Sequence, residues 1–197
     1  MTDDKTIDTP KTSKTTLWIL LAVFLVPMIA SYAYYFFGKN FSYGNHGDLL
    51  NPIIEFEDIA VLSASLTPVK MTDLDHAWYM IFIADKNCDE SCHKRLYEMR
   101  QMNIALGKNA DRVKQMILHT SEASSEFQAF LDKEHKTAHN YFTNKAKLPA
   151  SMNPDTSPNA IYFMDPLGNI ILRFNQPIDP KLILKDMNKL LKISRIG

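Results

Sequence analysis

The sequence predicts an α/β fold, a mixed central sheet flanked by helices, preceded by one N-terminal transmembrane helix. Three observations lead to this prediction. An uncharged apolar run lies near the N-terminus, strand and helix patterns alternate beyond residue 76, and two strand-like runs joined by a tight turn precede a last helix. Alternating strands and helices are typical of α/β proteins, and an antiparallel strand pair makes such a sheet mixed.

The membrane helix is predicted at residues 17–37, a run of 21 residues without a charge. About 20 apolar residues cross a bilayer core. The residues before the run include three lysines, Lys5, Lys11 and Lys14, and by the positive-inside rule residues 1–16 form a cytoplasmic tail. The alternative is a signal peptide cleaved near Ser31 and Ala33. The apolar run continues past that point and favours an anchor.

The first strand and helix of the folded domain follow an extended segment. Residues 38–75 hold scattered apolar clusters and predict a linker with one or two short strands, before a domain at residues 76–197. Residues 78–84 are all apolar, which indicates a strand buried on both faces. Apolar residues then recur at helical spacing over residues 96–106, and Gly107 is a plausible helix end.

The remaining elements alternate in the same way. Residues 113–118 predict a second strand, and a helix follows from the Ser/Glu-rich stretch at 121–126. Beyond a polar passage at 132–157, residues 160–164 and 170–174 predict a hairpin, because the Asp-Pro-Leu-Gly sequence between them suits a type I turn. Asp179 and Pro180 suit the first positions of a last helix.

Charge and motifs exclude several function classes. The chain has 22 Lys+Arg and 22 Asp+Glu, so it lacks the basic surplus on which nucleic-acid binding depends. We therefore expect no nucleic-acid partner. Motifs of hydrolases, kinases and dehydrogenases are absent from the sequence.

The two cysteines of the chain, Cys88 and Cys92, lie between the first strand of the domain and its first helix. A helix beginning near Cys88 would place the pair at positions i and i+4, with Cα atoms about 6 Å apart, within reach of a disulfide. The same proximity lets two thiolates hold one soft metal ion. A helix N-terminus also stabilises thiolates. Redox chemistry, metal binding, a structural disulfide and inert buried thiols all remain open at this point.

The stretch WYMIFIADKNCDESCHKRLYEMRQ, the later SPNAIYFMDPLGNIILRF and the terminal helix resemble the Sco/SenC family. The resemblance covers residues 45–197 and includes the C-x-x-x-C spacing and the Pro166–Gly168 turn; NHGDLLNP at 45–52 and the final SRIG add weaker signals. It implies a thioredoxin-like fold and a role in cytochrome c oxidase assembly and copper delivery. The implied partners are an oxidase subunit or other assembly factors. The implied location is a bacterial inner membrane, with a cytoplasmic N-terminus and a periplasmic domain.

One position departs from the family pattern. Sco-type copper sites add a histidine before the strand that leads into the hairpin, and Ser157 stands there in this chain. Ser157-Pro158 also falls where thioredoxin-like folds place a cis-proline facing the cysteines, so the resemblance implies that role for Pro158. A substitute imidazole would have to come from elsewhere, with His93, His135 and His139 as the candidates.

Three functions follow. The first is thiol-disulfide exchange in oxidase biogenesis, in which Cys88 attacks, Cys92 resolves the mixed disulfide and the chain acts as a thiol-disulfide oxidoreductase. The second is copper(I) delivery, with Cys88 and Cys92 as ligands and an unidentified third ligand. The third is a structural assembly factor with a permanent disulfide. Because Ser157 replaces the expected histidine, exchange ranks ahead of copper delivery.

Overall fold

A computed structural model describes residues 14–37, 45–194 and 196. It divides into two units, Met1–Gly44 and Asn45–Gly197. In the first unit, helix α1 (Lys14–Phe37) contains Pro27, and its described side chains through Tyr34 are exposed. This helix is long and apolar enough to cross a membrane, which confirms the predicted candidate transmembrane helix. Residues 1–13 of the predicted cytoplasmic tail and residues 38–44 of the predicted linker lie outside the described residues.

The second unit is built on one six-stranded mixed sheet with strand order β1-β6-β5-β2-β3-β4. Strands β2, β3 and β4 run parallel to one another, and the other neighbours are antiparallel. In chain order, the elements of this unit are β1 (Asp48–Glu55), β2 (Trp78–Ala84), α2 (Glu90–Ala105), β3 (Val113–His119), α3 (Ser125–Glu134), β4 (His139–Phe142), β5 (Ile161–Met164), β6 (Asn169–Phe174) and α4 (Pro180–Ile193).

The sheet separates two hydrophobic cores. The helix-side core joins alternate residues of the central strands to helices α2, α3 and α4, with Leu96, Phe127 and Met187 almost fully buried. The loop-side core joins the other residues of these strands to the segments 56–77 and 148–160. All seven residues of β2 are buried. A strand covered on both faces has no polar alternation, which is why this segment reads as a continuous apolar run.

The sequence prediction differs from the structure at both edges of the sheet. The compact unit begins at Asn45, so residues 45–75, predicted as a linker, belong to it, and β1 pairs with β6. The register of β1 shifts between Leu49 and Ile54, so its buried and exposed residues do not alternate regularly and the sequence shows no strand pattern there. Strand β4 lies in the predicted polar passage. As an edge strand beside β3 it is only partly buried, so it needs no apolar run.

The predicted hairpin and last helix are confirmed. Asp165 begins the turn between β5 and β6, and its Oδ1 accepts hydrogen bonds from the amides of Leu167 and Asn169, both at 2.9 Å. Gly168 has a φ of +93°, which favours glycine. Helix α4 begins after Asp179, whose Oδ1 accepts from the Lys181 amide at 2.9 Å.

A buried carboxylate fastens the first residues of the compact unit to the last helix. Asp186 of α4 is 1% exposed. It accepts hydrogen bonds from the Gly47 amide at 3.1 Å and from the amide of His46, whose Nδ1 lies 3.0 Å from Oδ1. A Cβ atom on Gly47 would lie 2.4 Å from the Phe174 ring, so only glycine allows this close approach.

Candidate functional site

The two cysteines form a disulfide where β2 leads into α2, with a Cα–Cα distance of 5.2 Å. Helix α2 begins at Glu90, two residues later than the sequence suggests, because Asp89 is the N-cap. Its Oδ1 accepts a hydrogen bond from the Cys92 amide at 2.8 Å. Cys88 therefore precedes the cap and Cys92 lies in the first helical turn. Asp89 is not identified as this cap from the sequence alone.

Access to the disulfide is unequal. Cys92 is 7% exposed and belongs to the helix-side core, whereas Cys88 is half-buried and packs against that core from its edge. A thiol that reacts with this disulfide from solvent therefore meets Cys88 first.

The loop that carries Cys88 is fastened to the loop after β3. Asp85 accepts hydrogen bonds from the Lys86 amide and from the Ser121 hydroxyl, both at 2.8 Å. These bonds hold the pKa of the Asp85 carboxyl below its usual value. The Lys86 carbonyl in turn accepts from the Ser124 amide at 2.9 Å. The backbone leading to the disulfide is thus positioned by side-chain and main-chain contacts.

Ser91, between the two cysteines, is the centre of a set of hydrogen bonds that sequence reasoning misses. Its hydroxyl donates to Oε1 of Gln176 at 3.1 Å and accepts from Nδ2 of Asn159 at 2.9 Å. Arg95, which is 0% exposed, donates from Nε to the Asn159 carbonyl at 2.9 Å and from Nη2 to the Phe174 carbonyl at 3.1 Å. We call Ser91, Arg95, Asn159 and Gln176 the Ser91 hub. The one sequence signal for it is the Pro-Asn pair, which is typical of a turn.

The expectation of a cis peptide bond at Pro158 is wrong. Among the described residues, the cis bonds are Asn51–Pro52 and Gln176–Pro177. The Ala160 amide donates to the Ser157 carbonyl at 3.3 Å, and Asn159 has a φ of +53°. Pro158 is therefore the second residue of a tight turn whose third residue has positive φ, an arrangement that trans-proline suits. Its side chain is exposed.

Ser157 is the residue that stands where the family pattern has a histidine ligand. Its side chain is buried, and its Oγ accepts a hydrogen bond from Nη1 of Arg173 at 3.3 Å. The same nitrogen donates to the Ser151 carbonyl at 3.2 Å. The Ser157 side chain is therefore engaged by a cation, and it does not provide a substitute metal ligand.

Two of the three candidate histidines line a groove of about 540 Å³ between α2 and α3. The His93 ring packs edge-on against Phe130, with centroids 4.2 Å apart. His135 caps the end of α3, is 3% exposed, and has no hydrogen-bond partner on either ring nitrogen. Burial, reinforced by the nearby Arg100 guanidinium, lowers the pKa of His135 to about 4. His135 is thus neutral at pH 7.

The third candidate, His139, lies on the edge strand β4 and contacts the loop-side residues Tyr79 and Tyr141. The cysteines belong to the opposite, helix-side core. Within the described ranges, no group of three or more His, Cys, Asp and Glu side chains is arranged to hold a metal ion. The structure therefore brings together the two sulfurs, and it adds none of the predicted histidines to them.

Comparison with known families assigns the chain to one of them. The family model described as transmembrane-like, thioredoxin-like, C-terminal domain matches residues 78–194, more than half of the chain. The chain therefore belongs to this family, and the match includes both cysteines. No curated protein sequence is similar to the chain.

Solved structures with the same fold include Sco proteins. Yeast Sco1 with copper bound is 12% identical with a TM-score of 0.54, covering 68% of this chain and 90% of that one. Arabidopsis thaliana ScoI with copper bound is 9% identical with a TM-score of 0.53, covering 69% and 97%. BsSco, described as a Sco-family cytochrome c oxidase assembly protein with a disulfide switch, is 12% identical with a TM-score of 0.52, covering 75% and 98%. The thioredoxin-like fold and the structural resemblance to Sco proteins are confirmed.

Proposed function

We propose that this member of the transmembrane-like, thioredoxin-like family supports cytochrome c oxidase biogenesis by thiol-disulfide exchange through Cys88 and Cys92. The observation that carries the proposal is the disulfide itself, which lies at a helix N-terminus with Cys88 half-buried and Cys92 buried. A structural neighbour of the same fold, BsSco, is described as an oxidase assembly protein with a disulfide switch. This likeness supports the choice of pathway by analogy of fold.

The exchange conserves atoms and electrons between the chain and its client. In the reduced chain, the Cys88 thiolate attacks one sulfur of a client disulfide and forms a mixed disulfide, and the other client sulfur leaves as a thiolate. The Cys92 thiolate then attacks Cys88 Sγ, closes the intramolecular disulfide and releases the second client sulfur. The client gains two electrons and two protons, and the chain loses them. The 5.2 Å between the cysteine Cα atoms keeps Cys92 within reach for the second step.

The proposed client is a disulfide in an oxidase subunit or in another assembly factor. We place the domain in the periplasm of a bacterium, tethered by α1 to the inner membrane with the N-terminus in the cytoplasm. The uncharged length of α1 supports the tether, and the lysines before it support the orientation.

The test uses the reduced full-length chain in detergent and an oxidised oxidase-subunit domain that carries a cysteine pair. Wild type should reduce the client with one-to-one stoichiometry, measured by thiol alkylation and mass spectrometry. Cys88→Ser should abolish the reaction, whereas Cys92→Ser should accumulate a mixed disulfide through Cys88. Ser125→Ala, an exposed position on α3, is the matched control. Client reduction by Cys88→Ser at the wild-type rate contradicts the proposal.

Copper(I) delivery is the alternative that the same preparation tests, with copper as cargo. Once reduced, Cys88 and Cys92 offer two thiolates, which suit copper(I). Sco neighbours of the same fold bind copper. Two observations argue against a centre with three ligands. Arg173 donates a hydrogen bond to Ser157, and the described residues contain no suitable cluster of ligating side chains.

An anaerobic copper(I) titration separates the functions. Tight, one-to-one binding that Cys88→Ser removes, together with no client reduction, would replace exchange by copper delivery. If the chain neither binds copper nor reduces the client, and the disulfide resists glutathione, then a permanent structural disulfide is the correct function of the pair.

A further inference from the structure

The first turn of α2 is tied to two distant segments by a residue between the cysteines. The Ser91 hydroxyl holds Asn159, in the turn before β5, and Gln176, after β6, and these residues lie 68 and 85 positions along the chain from it. These two hydrogen bonds therefore join three segments that are far apart in the sequence. The disulfide therefore lies in a segment held from outside its own helix.

Asn159 carries both sides of this connection. Its side-chain Nδ2 donates a hydrogen bond to the Ser91 hydroxyl, and its backbone carbonyl accepts one from Nε of the buried Arg95, which lies one helical turn after Ser91 in α2. The backbone of Asn159 is left-handed, with a φ of +53°, a conformation that costs a non-glycine residue some free energy. Asparagine tolerates it better than most residues. The two bonds to α2 offset this cost and fix the turn against the helix.

We propose that Ser91 and Asn159 are positioning residues for the cysteine pair, and that they set its reduction potential. This inference rests on the proposed function of the pair in thiol exchange. When the disulfide is reduced, the cap bond from Cys92 to Asp89 and the bonds of the Ser91 hub remain, because none of them involves a sulfur atom. The hub keeps the first turn of α2 in place, so that Cys92 stays close to Cys88.

Closeness of the two thiols favours the disulfide. An oriented neighbour acts at a high effective concentration, and this concentration falls when the segment that carries it becomes free to move. Loss of the hub should therefore make the disulfide easier to reduce and should slow the attack of Cys92 on a mixed disulfide. The attack of Cys88 on a client should change much less, because that step does not need Cys92.

The test compares reduction potentials of the full-length chain in detergent, equilibrated with glutathione buffers. Ser91→Ala removes both hydroxyl bonds. Asn159→Gly removes the amide donor and allows the positive φ. Each should lower the equilibrium constant for disulfide formation about tenfold, which is a shift of about 30 mV toward easier reduction for a two-electron couple. The double variant should shift no further than Ser91→Ala alone, because Ser91→Ala already removes the bond between Ser91 and Asn159 that Asn159→Gly removes.

Asn103→Ala is the matched control. It lies near the other end of α2 and loses bonds to the Ala110 and Val113 carbonyls, so it weakens the fold without contact to the hub. Its potential should equal that of wild type. The inference is overturned if Ser91→Ala and Asn159→Gly both keep the wild-type potential, or if Asn103→Ala shifts it equally. These outcomes do not depend on a client, so they are distinct from failure of the exchange itself.

Discussion

The chain contains two consecutive strand–loop–helix units whose strands and helix N-caps are offset by 35 residues along the sequence. Trp78 of β2 pairs with Val113 of β3, each strand has seven residues, and each N-cap follows five residues after its strand. Asp89 caps α2 through the Cys92 amide, and Ser124 caps α3 through the Phe127 amide. The two junctions thus share one backbone plan.

Their side chains differ where the chemistry lies. Cys88 and Cys92 of the first junction correspond to Ala123 and Phe127 of the second, and Phe127 is buried in the same helix-side core as Cys92. Ser91 of the hub corresponds to Glu126, which is exposed. The comparison shows that the same junction occurs twice in this domain, whereas the disulfide and the hydrogen bonds of the Ser91 hub belong to one copy of it.

The largest expected difference between the junctions comes from the sixth residue after each cap. This residue is the fully buried Arg95 in α2 and the half-buried Phe130 in α3. Arg95→Met should lower the free energy of unfolding by about 4 kcal/mol, because the buried Phe174 carbonyl, the partly buried Asn159 carbonyl and the Glu98 carboxylate lose their donor. Phe130→Met should cost about 1 kcal/mol. Urea unfolding measures both, and equal losses would contradict the special anchoring of α2.

A second difference is the acid sensitivity of the α3 end. The pKa of His135 is lowered to about 4, so between about pH 6.5 and pH 4 the unfolded chain binds a proton that the folded chain does not. The free energy of unfolding should therefore fall as pH falls through this window, by about 3 kcal/mol in total, and this contribution should level off below pH 4.

The measurement is urea unfolding at several pH values for wild type, His135→Gln and His76→Gln. His135→Gln should lose the His135 contribution to the slope in this window, and His76→Gln, at an exposed position, should keep it. Burial also lowers the pKa of His119, which contributes to the slope in all three proteins. A slope unchanged in His135→Gln would show that other groups cause the acid sensitivity. Acid sensitivity would then not distinguish the two junctions.

The smallest expected effect concerns the charge of the two caps. Asp89→Ala and Ser124→Ala should each cost about 1 kcal/mol of unfolding free energy, because both remove an N-cap. Asp89→Asn keeps a cap but removes a negative charge beside the sulfurs, so anionic glutathione thiolate should reduce the disulfide roughly twofold faster at low salt. Stopped-flow kinetics at two salt concentrations measures this rate. An unchanged rate at low salt would show that the charge of Asp89 does not act on the sulfurs.

The sequence allowed the elements with strong local signals to be predicted. The continuous apolar run of β2, the turn between β5 and β6 and the cap at Asp179 each depend on residues adjacent in sequence, and the structure has all three. Of the edge strands, β1 falls in the segment predicted as a linker with one or two short strands, and β4 falls in the predicted polar passage, so neither was assigned a place in the sheet. Their pairing depends on β6 and β3, far along the chain, and partial burial leaves no clear apolar pattern.

The site was predictable to a similar extent. The spacing of Cys88 and Cys92 and their place before a helix were sufficient to expect two neighbouring sulfurs. The prediction of a cis peptide bond at Pro158 was wrong, because Pro158 lies in a turn whose next residue, Asn159, has a positive φ. The bonds of Ser91 escaped detection because they join residues more than 60 positions apart, and serine is too common a residue to indicate such contacts.

The buried bond between Asp186 and residues 46–47 has a consequence for the order of events during synthesis. His46 leaves the ribosome 140 residues before its partner, and β1 likewise waits for β6. Closing so large a loop cannot precede the translation of the final helix. The cysteine pair is therefore synthesised before the domain that holds it can close.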